Sequence, residues 1–175
     1  MTTDEFIARY NPLSFFHFTD SRNIPLIAEH GLCALSEIRR KGIIIPAPGG
    51  NELSHKLDWE KGLASYVHLC FHGEHPMEYV ARAIEKRLDQ TAFLAVSRNV
   101  LHLDGIRFTA EVANRSGSSL LTLDQAVERM DFPVIFDRTD WSDPDINRRR
   151  QVTKKYEILV PISIPSEFLT FPNHG

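Results

Sequence analysis

Apolar and polar positions alternate from Tyr66 to His72, so that Val67, Leu69 and Phe71 fall on one face of an extended segment and Tyr66, His68, Cys70 and His72 on the other. The first face predicts a core and the second a polar wall that can line a cleft. The same period of two runs through SFFHFT, residues 14 to 19, which is aromatic, β-favouring and sets His17 and Thr19 on one side. Next, DSRNIPLIAEHGL has a polar start, an early proline and Gly31 where a helix cap belongs, which predicts a turn and a short helix. Pro76 opens another helix, with Met77, Val80, Ala81, Ile84 and Leu88 at helical spacing as a packed face and Glu78, Arg82, Glu85 and Lys86 turned to water. TAFLAVSRNVLHL predicts a strand, FTAEVANRSGSS a polar loop, LTLDQAVERM a short helix, PVIFD a short extended piece and YEILVPISI a last long strand. Residues 36 to 64, punctuated by glycine and proline with few periodic apolar positions, predict a long connection of the kind that covers a ligand. Mixed in this order, the elements predict an α+β fold.

Length and composition bound this picture. A chain of 175 residues, 42% hydrophobic, can bury one core of ordinary size, so a single domain over residues 1–175 is expected. No apolar run approaches the ~20 residues that span a bilayer, and MTTDEFIARY carries acidic residues and no signal-peptide core. A cytoplasmic protein with no membrane partner is expected. Cys33 and Cys70 lie far apart without a CxxC pair, which predicts reduced thiols. A formal net charge of -3 argues against coating nucleic acid over the whole surface. Yet Arg148, Arg149, Arg150, Lys154 and Lys155 crowd into a short run, so any polyanion contact is local, or the run is simply a solvated basic face.

The candidate chemistry is sparse. The sequence holds no GxxxxGK[ST], no GxGxxG after a strand, no HExxH and no GxSxG, which removes phosphate-loop, dinucleotide-fold, zincin and serine-hydrolase readings. His68, Cys70, His72 and His75 are ligand types within one stretch, but their spacing fits no closed zinc pattern and no metal is expected; a strand face followed by a helix-capping histidine accounts for them. His17 and Thr19 could hold the sugar and amide edge of a nucleotide by hydrogen bonds, or be ordinary strand surface. Glu157 sits among Tyr156, Ile158, Leu159 and Val160, where an ionised carboxylate is costly unless it is hydrogen-bonded or opens to a cleft. Period two lets it face a cleft while Ile158 and Val160 face the core; the other reading is a strand-edge glutamate in solvent.

Three blocks carry a resemblance. HFTDSRNIPLIAEHGL resembles the opening of the DarT DNA ADP-ribosyltransferases, where an H-x-T strand is followed by a helix of the form N-[LIV]-P-x-I-x-x-x-G-[LI]. YVHLCFHGEHPMEYV is similar to that family's YVPFYFxPRSPMLY segment, and RRRQVTKKYEILVPISIP to its RRRQ-A-E-[FV]-LV ending with the catalytic glutamate. The blocks keep their order over nearly the whole chain. Three departures stand out: Gly-Glu-His replaces Pro-Arg-Ser before Pro76, Val152 to Lys154 are added ahead of the glutamate, and the 36 to 64 connection diverges.

The resemblance implies an ADP-ribosyltransferase-like fold, two small packed β-sheets around an NAD cleft with flanking short helices. It implies that His17 and Thr19 orient NAD, with Asn23 and Tyr66 beside them. It also implies that an arginine of the divergent connection, Arg39 or the catalytic candidate Arg40, meets the pyrophosphate. Glu157 would steady the oxocarbenium-like ribose and help activate the attacking base, while Arg148, Arg149, Arg150, Lys154 and Lys155 guide a nucleic-acid backbone. The implied acceptor is single-stranded DNA, with RNA as the alternative. The implied partner is an antitoxin that removes ADP-ribose. A catalytically inert nucleotide-binding module is the reading from a different class.

Overall fold

Thr2 and Glu5 cap the first helix reciprocally: the Glu5 N–H donates to Thr2 Oγ1 at 3.2 Å and the Thr2 N–H to Glu5 Oε2 at 2.7 Å. This helix, α1 (Thr3–Tyr10), buries Phe6 completely, with the Phe132 ring edge-on at 4.9 Å. The structure, a computed structural model, describes residues 1–172; the last three positions of the single domain expected over residues 1–175 lie outside the described residues.

β1 (Ser14–Asp20) passes through a 3₁₀ turn into α2 (Ile24–His30), which ends at Gly31 as its cap position predicts. Gly31 has φ 73°, and a Cβ there would lie 2.4 Å from the Ile164 carbonyl oxygen, so glycine alone lets the chain turn at once into β2 (Leu32–Cys33). Two helices follow, α3 (Leu35–Lys41) and α4 (Glu52–Glu60), and then β3 (Tyr66–Cys70). α5 (Pro76–Tyr79) continues as a π-helical turn over Val80–Ile84 and leads to β4 (Thr91–Ser97) and β5 (Arg107–Thr109). α6 (Leu123–Arg129), α7 (Phe132–Phe136) and α8 (Pro144–Thr153) precede β6 (Glu157–Pro161), β7 (Ser163–Ile164) and β8 (Leu169–Thr170). No helix among the described residues is long and apolar enough to cross a membrane.

Six strands form one antiparallel sheet in the order β5-β6-β3-β1-β4-β8, and β2 pairs with β7 as a separate ribbon. The large sheet is two three-stranded halves. β1 pairs with β4 from Ser14↔Ser97 to Asp20↔Thr91, and β3 with β6 from Tyr66↔Pro161 to Cys70↔Glu157, but β1 and β3 share the single pair Phe16↔Cys70. Past that pair the two strands part. The C-terminal half of β1 and the N-terminal half of β3 become the walls of a notch. The two small sheets expected from the resemblance are thus two halves of one sheet, joined at Phe16 and Cys70, with the β2–β7 ribbon as a further small sheet. Phe15, Leu69, Leu94, Val96, Ile158 and Val160 are fully buried with Phe132 in the main core, each worth about 1.5–3 kcal/mol of burial.

Several local expectations are corrected. Residues 36 to 64 are not one long connection but carry α3 and α4; neither helix buries a residue, so no apolar stripe marks them. Instead the Asn51 side chain accepts the Ser54 N–H at 2.8 Å, and Arg40 pairs with Glu37 one turn away. PVIFD is helical, because Asp131 accepts the Val134 N–H and Pro133 sits in the first turn, an N-terminal signature that outweighs the β propensity of Val and Ile. YEILVPISI is two strands: Ile162 takes a φ of 66° and sends the chain from β3 to β2. Within the Pro76 helix, the π turn rotates the apolar stripe, leaving Ile84 64% exposed, while Glu78, expected in water, is buried and bonded to Arg82 and Thr91. Phe108 and Tyr156 are core residues; Trp141 is exposed.

Candidate functional site

The notch opens into a cleft lined by His17 and Thr19 of β1, Tyr66, His68 and Cys70 of β3, and Glu157 at the start of β6, with Asn23 at its rim. The ladder explains how Glu157 reaches it. Cys70 opposes both Phe16 and Glu157, so the single β1–β3 pair places the carboxylate at the point where the halves separate. The Ile158 and Val160 side chains point the other way, into the core, as the period of two requires.

Glu157 is buried, and its partners satisfy it. Oε2 accepts the Ala113 backbone N–H at 2.9 Å and contacts His68 Nδ1 at 3.2 Å; Oε1 lies 3.6 Å from His75 Nε2. A solvent-facing strand-edge glutamate is therefore ruled out. Burial by itself would depress the His68 imidazole, but the hydrogen bond and charge of Glu157, with Asp58 nearby, hold its pKa above the ordinary value. Burial pushes the Asp58 carboxyl up, and Asp58 Oδ1 has no hydrogen-bond partner among the described residues. Cys70 is desolvated, and together with Glu157 this raises its thiol well above the ordinary value, so it is a protonated wall residue and not a nucleophile.

The opposite wall is neutral and polar. His17 Nδ1 lies 3.0 Å from the His68 carbonyl oxygen, which can only accept, so the proton is on Nδ1; burial lowers its pKa, leaving a neutral ring with Nε2 as an acceptor. Thr19 Oγ1 accepts from Asn23 Nδ2 at 3.1 Å. The rest of the Asn23 amide is spent on residue 47: Nδ2 donates to the Ala47 carbonyl at 2.7 Å and Oδ1 accepts the Ala47 N–H at 3.0 Å. Asn23 thus holds the segment that walls the cleft, with no donor left over for a ligand.

Other site expectations are dispersed. Arg40 forks onto Glu37 and Arg39 lies 5.3 Å over the Trp59 ring; neither lines the cleft, because α3 points both outward. The arginine among the lining residues is Arg87, which donates to the Gly49 carbonyl at 2.8 Å. No sequence signal marks Arg87, and none marks the Ala113 N–H, a backbone group in the loop after β5. On α8, Arg148 pairs with Asp145, Arg149 forks onto Asp131, and Arg150 lies 3.4 Å over the Trp141 ring. Lys154 pairs with Glu74 at 2.9 Å, and Lys155 is exposed just beyond the helix. His72 turns from the cleft to Thr153, and no group of three or more His, Cys, Asp or Glu side chains among the described residues is arranged to hold a metal ion.

The raised His68 pKa has a measurable sign. The folded state binds this proton more tightly than the unfolded chain, so the stabilisation is complete below ~6.5 and is lost as pH rises through the folded value. The melting-temperature gap between wild type and His68→Gln is expected to be wider near about pH 5.5 than near about pH 8.5. A gap that stays constant across that range would show that no proton is held between His68 and Glu157.

Comparison with known proteins follows the same lines. Residues 16–171 match the family model described as DarT, ssDNA thymidine ADP-ribosyltransferase. Thermosipho africanus DarTG in complex with ADP-ribose superposes with a TM-score of 0.67 at 21% identity, over 90% of this chain and 43% of that one. Thermus sp. 2.9 DarT in complex with ADP-ribosylated ssDNA gives 0.64 at 18% identity, over 89% of this chain and 78% of that one. The same Thermus protein in complex with NAD+ gives 0.57 at 20% identity, over 90% and 79%. The chain thus spans less than half the length of the Thermosipho protein. No curated protein matches the sequence.

Proposed function

The chain belongs to the DarT family of ssDNA thymidine ADP-ribosyltransferases, and from that premise we propose that it cleaves NAD at the nicotinamide–ribose bond and transfers the ADP-ribose to thymidine in single-stranded DNA. The observation that carries this reading is Glu157: a buried carboxylate, hydrogen-bonded in place, at the point where the sheet opens into a cleft with His17 and Thr19 opposite. As the glycosidic bond breaks, its electron pair leaves with nicotinamide and the ribose C1′ becomes positive. Glu157 stabilises that charge in a partly desolvated site, where a fixed carboxylate acts most strongly. A thymine presents one acidic N–H; as its nitrogen bonds to C1′, the proton passes to the carboxylate, which serves as general base.

His17 accepts hydrogen bonds from NAD through Nε2, with Thr19 beside it on the β1 wall and Tyr66 on the facing β3 wall. On the acceptor side, exposed Trp141 with Arg150 over its ring offers a single strand an aromatic face and a cation, and Lys155 adds a second charge. Arg148, Arg149 and Lys154 are partly neutralised by Asp145, Asp131 and Glu74 and contribute less. An antitoxin that removes ADP-ribose is the partner this function calls for, and the cytoplasm, where NAD and DNA meet, is its compartment.

The test is incubation of the purified chain with NAD and a panel of oligonucleotides, read by mass. A gain of one ADP-ribose on thymidine-containing single-stranded DNA is expected, with none on thymidine-free strands. Modification confined to RNA or to protein would overturn the acceptor assignment.

A further inference from the structure

His75 stands where the family segment has serine, and its surroundings give it more to do than cap a helix. Its Nδ1 accepts the Met77 N–H at 3.2 Å at the start of α5, so that nitrogen carries no proton. Burial lowers the pKa and keeps the ring neutral, and the one remaining proton is therefore on Nε2. Nε2 is itself buried, has no hydrogen-bond partner among the described residues, and lies 3.6 Å from Glu157 Oε1. The side chain is only 2% exposed, and the Phe18 ring stacks on it at 5.8 Å, fixing the imidazole plane.

The two oxygens of Glu157 are held unequally. Oε2 has the Ala113 N–H and His68, whereas Oε1 faces His75. An unpartnered buried N–H is costly, and serine or asparagine would cap the helix as well without one. What an imidazole adds over those residues is reach, from the helix cap to the carboxylate. We infer that His75 is a positioning residue for Glu157: its Nε2–H, held 3.6 Å from Oε1 by the cap, attracts that oxygen as a buried dipole and biases the carboxylate plane toward the orientation that meets the ribose. This rests on the transferase reading above.

Two substitutions separate capping from positioning, because His75→Asn and His75→Ser both keep an acceptor for the Met77 N–H. In each, kcat for transfer is expected to fall on the order of tenfold, with KM for NAD within about twofold and the melting temperature nearly unchanged. In a Glu157→Gln background the same change is expected to add almost nothing, since His75 acts through the carboxylate. Wild-type turnover in both variants, a rate loss matched by a large loss of melting temperature in both, or full additivity with Glu157→Gln would each overturn the inference. The failure of the transferase reading looks different: wild type itself would leave NAD and DNA untouched. The ring nitrogen NMR shifts of His75 decide the positioning geometry without any turnover. A proton on Nε2 is expected; one on Nδ1 would overturn the assignment.

Discussion

Glu157→Gln is expected to lower ADP-ribose transfer by a factor on the order of 10² or more, which corresponds to about 2.7 kcal/mol of transition-state stabilisation. Glutamine keeps the size of the side chain and can still accept the Ala113 N–H that now meets Oε2. What it loses is the charge, and with it the means to stabilise a positive C1′ and to take a proton from the incoming base. NAD affinity should survive, because the opposite wall, with His17 and Thr19, is untouched. Folding should survive at alkaline pH, where His68 is neutral with or without the carboxylate, while at acid pH the variant forgoes the stabilisation that the His68–Glu157 pair supplies. Rate, NAD affinity and melting temperature measured on the same preparation decide the matter. A variant that binds NAD, melts normally and transfers at the wild-type rate would remove Glu157 from the chemistry.

The second large effect is expected at Asn23. Its amide makes three hydrogen bonds in a buried site, two of them to the backbone of Ala47. Asn23→Ala leaves the Ala47 N–H and carbonyl without these partners, which costs about 2–4 kcal/mol and frees the segment that walls the cleft. NAD affinity should therefore fall at least tenfold together with stability, although Asn23 has no donor to spare for the ligand. Denaturant unfolding and calorimetric NAD titration read the two effects separately. A protein that loses the stability but binds NAD as wild type does would show that the residue 47 segment is not part of the NAD site.

The contrast between Asn23 and Arg40 shows how far residue type carries. Asn23 sits in a block that carries the resemblance and Arg40 in the connection that departs from it, and both were expected to meet NAD. Asn23 lies at the cleft because it follows β1 by one turn, so its place is set locally. Arg40 lies on a helix whose direction depends on what it packs against, and there it pairs with Glu37. Arg87 has the reverse history: nothing nearby in sequence marks it, yet it lines the cleft, held there by its hydrogen bond to the Gly49 carbonyl.

What the chain determines by itself is local and periodic. Alternation places Val67 and Leu69 in the core and Tyr66 and His68 on the open face, and the same period turns Glu157 away from Ile158; Gly31 and Pro76 mark helix ends because their own backbone constraints require it. What only the tertiary structure decides is pairing. That β1 and β3 meet at one residue pair and then part, that Ala113 brings its N–H to Glu157, and that His75 reaches from a helix cap to the same carboxylate all join positions far apart in sequence. Such contacts follow from how strands register and helices pack. A hydrogen bond between distant residues leaves no period in the sequence, because its geometry exists only once the sheet has formed.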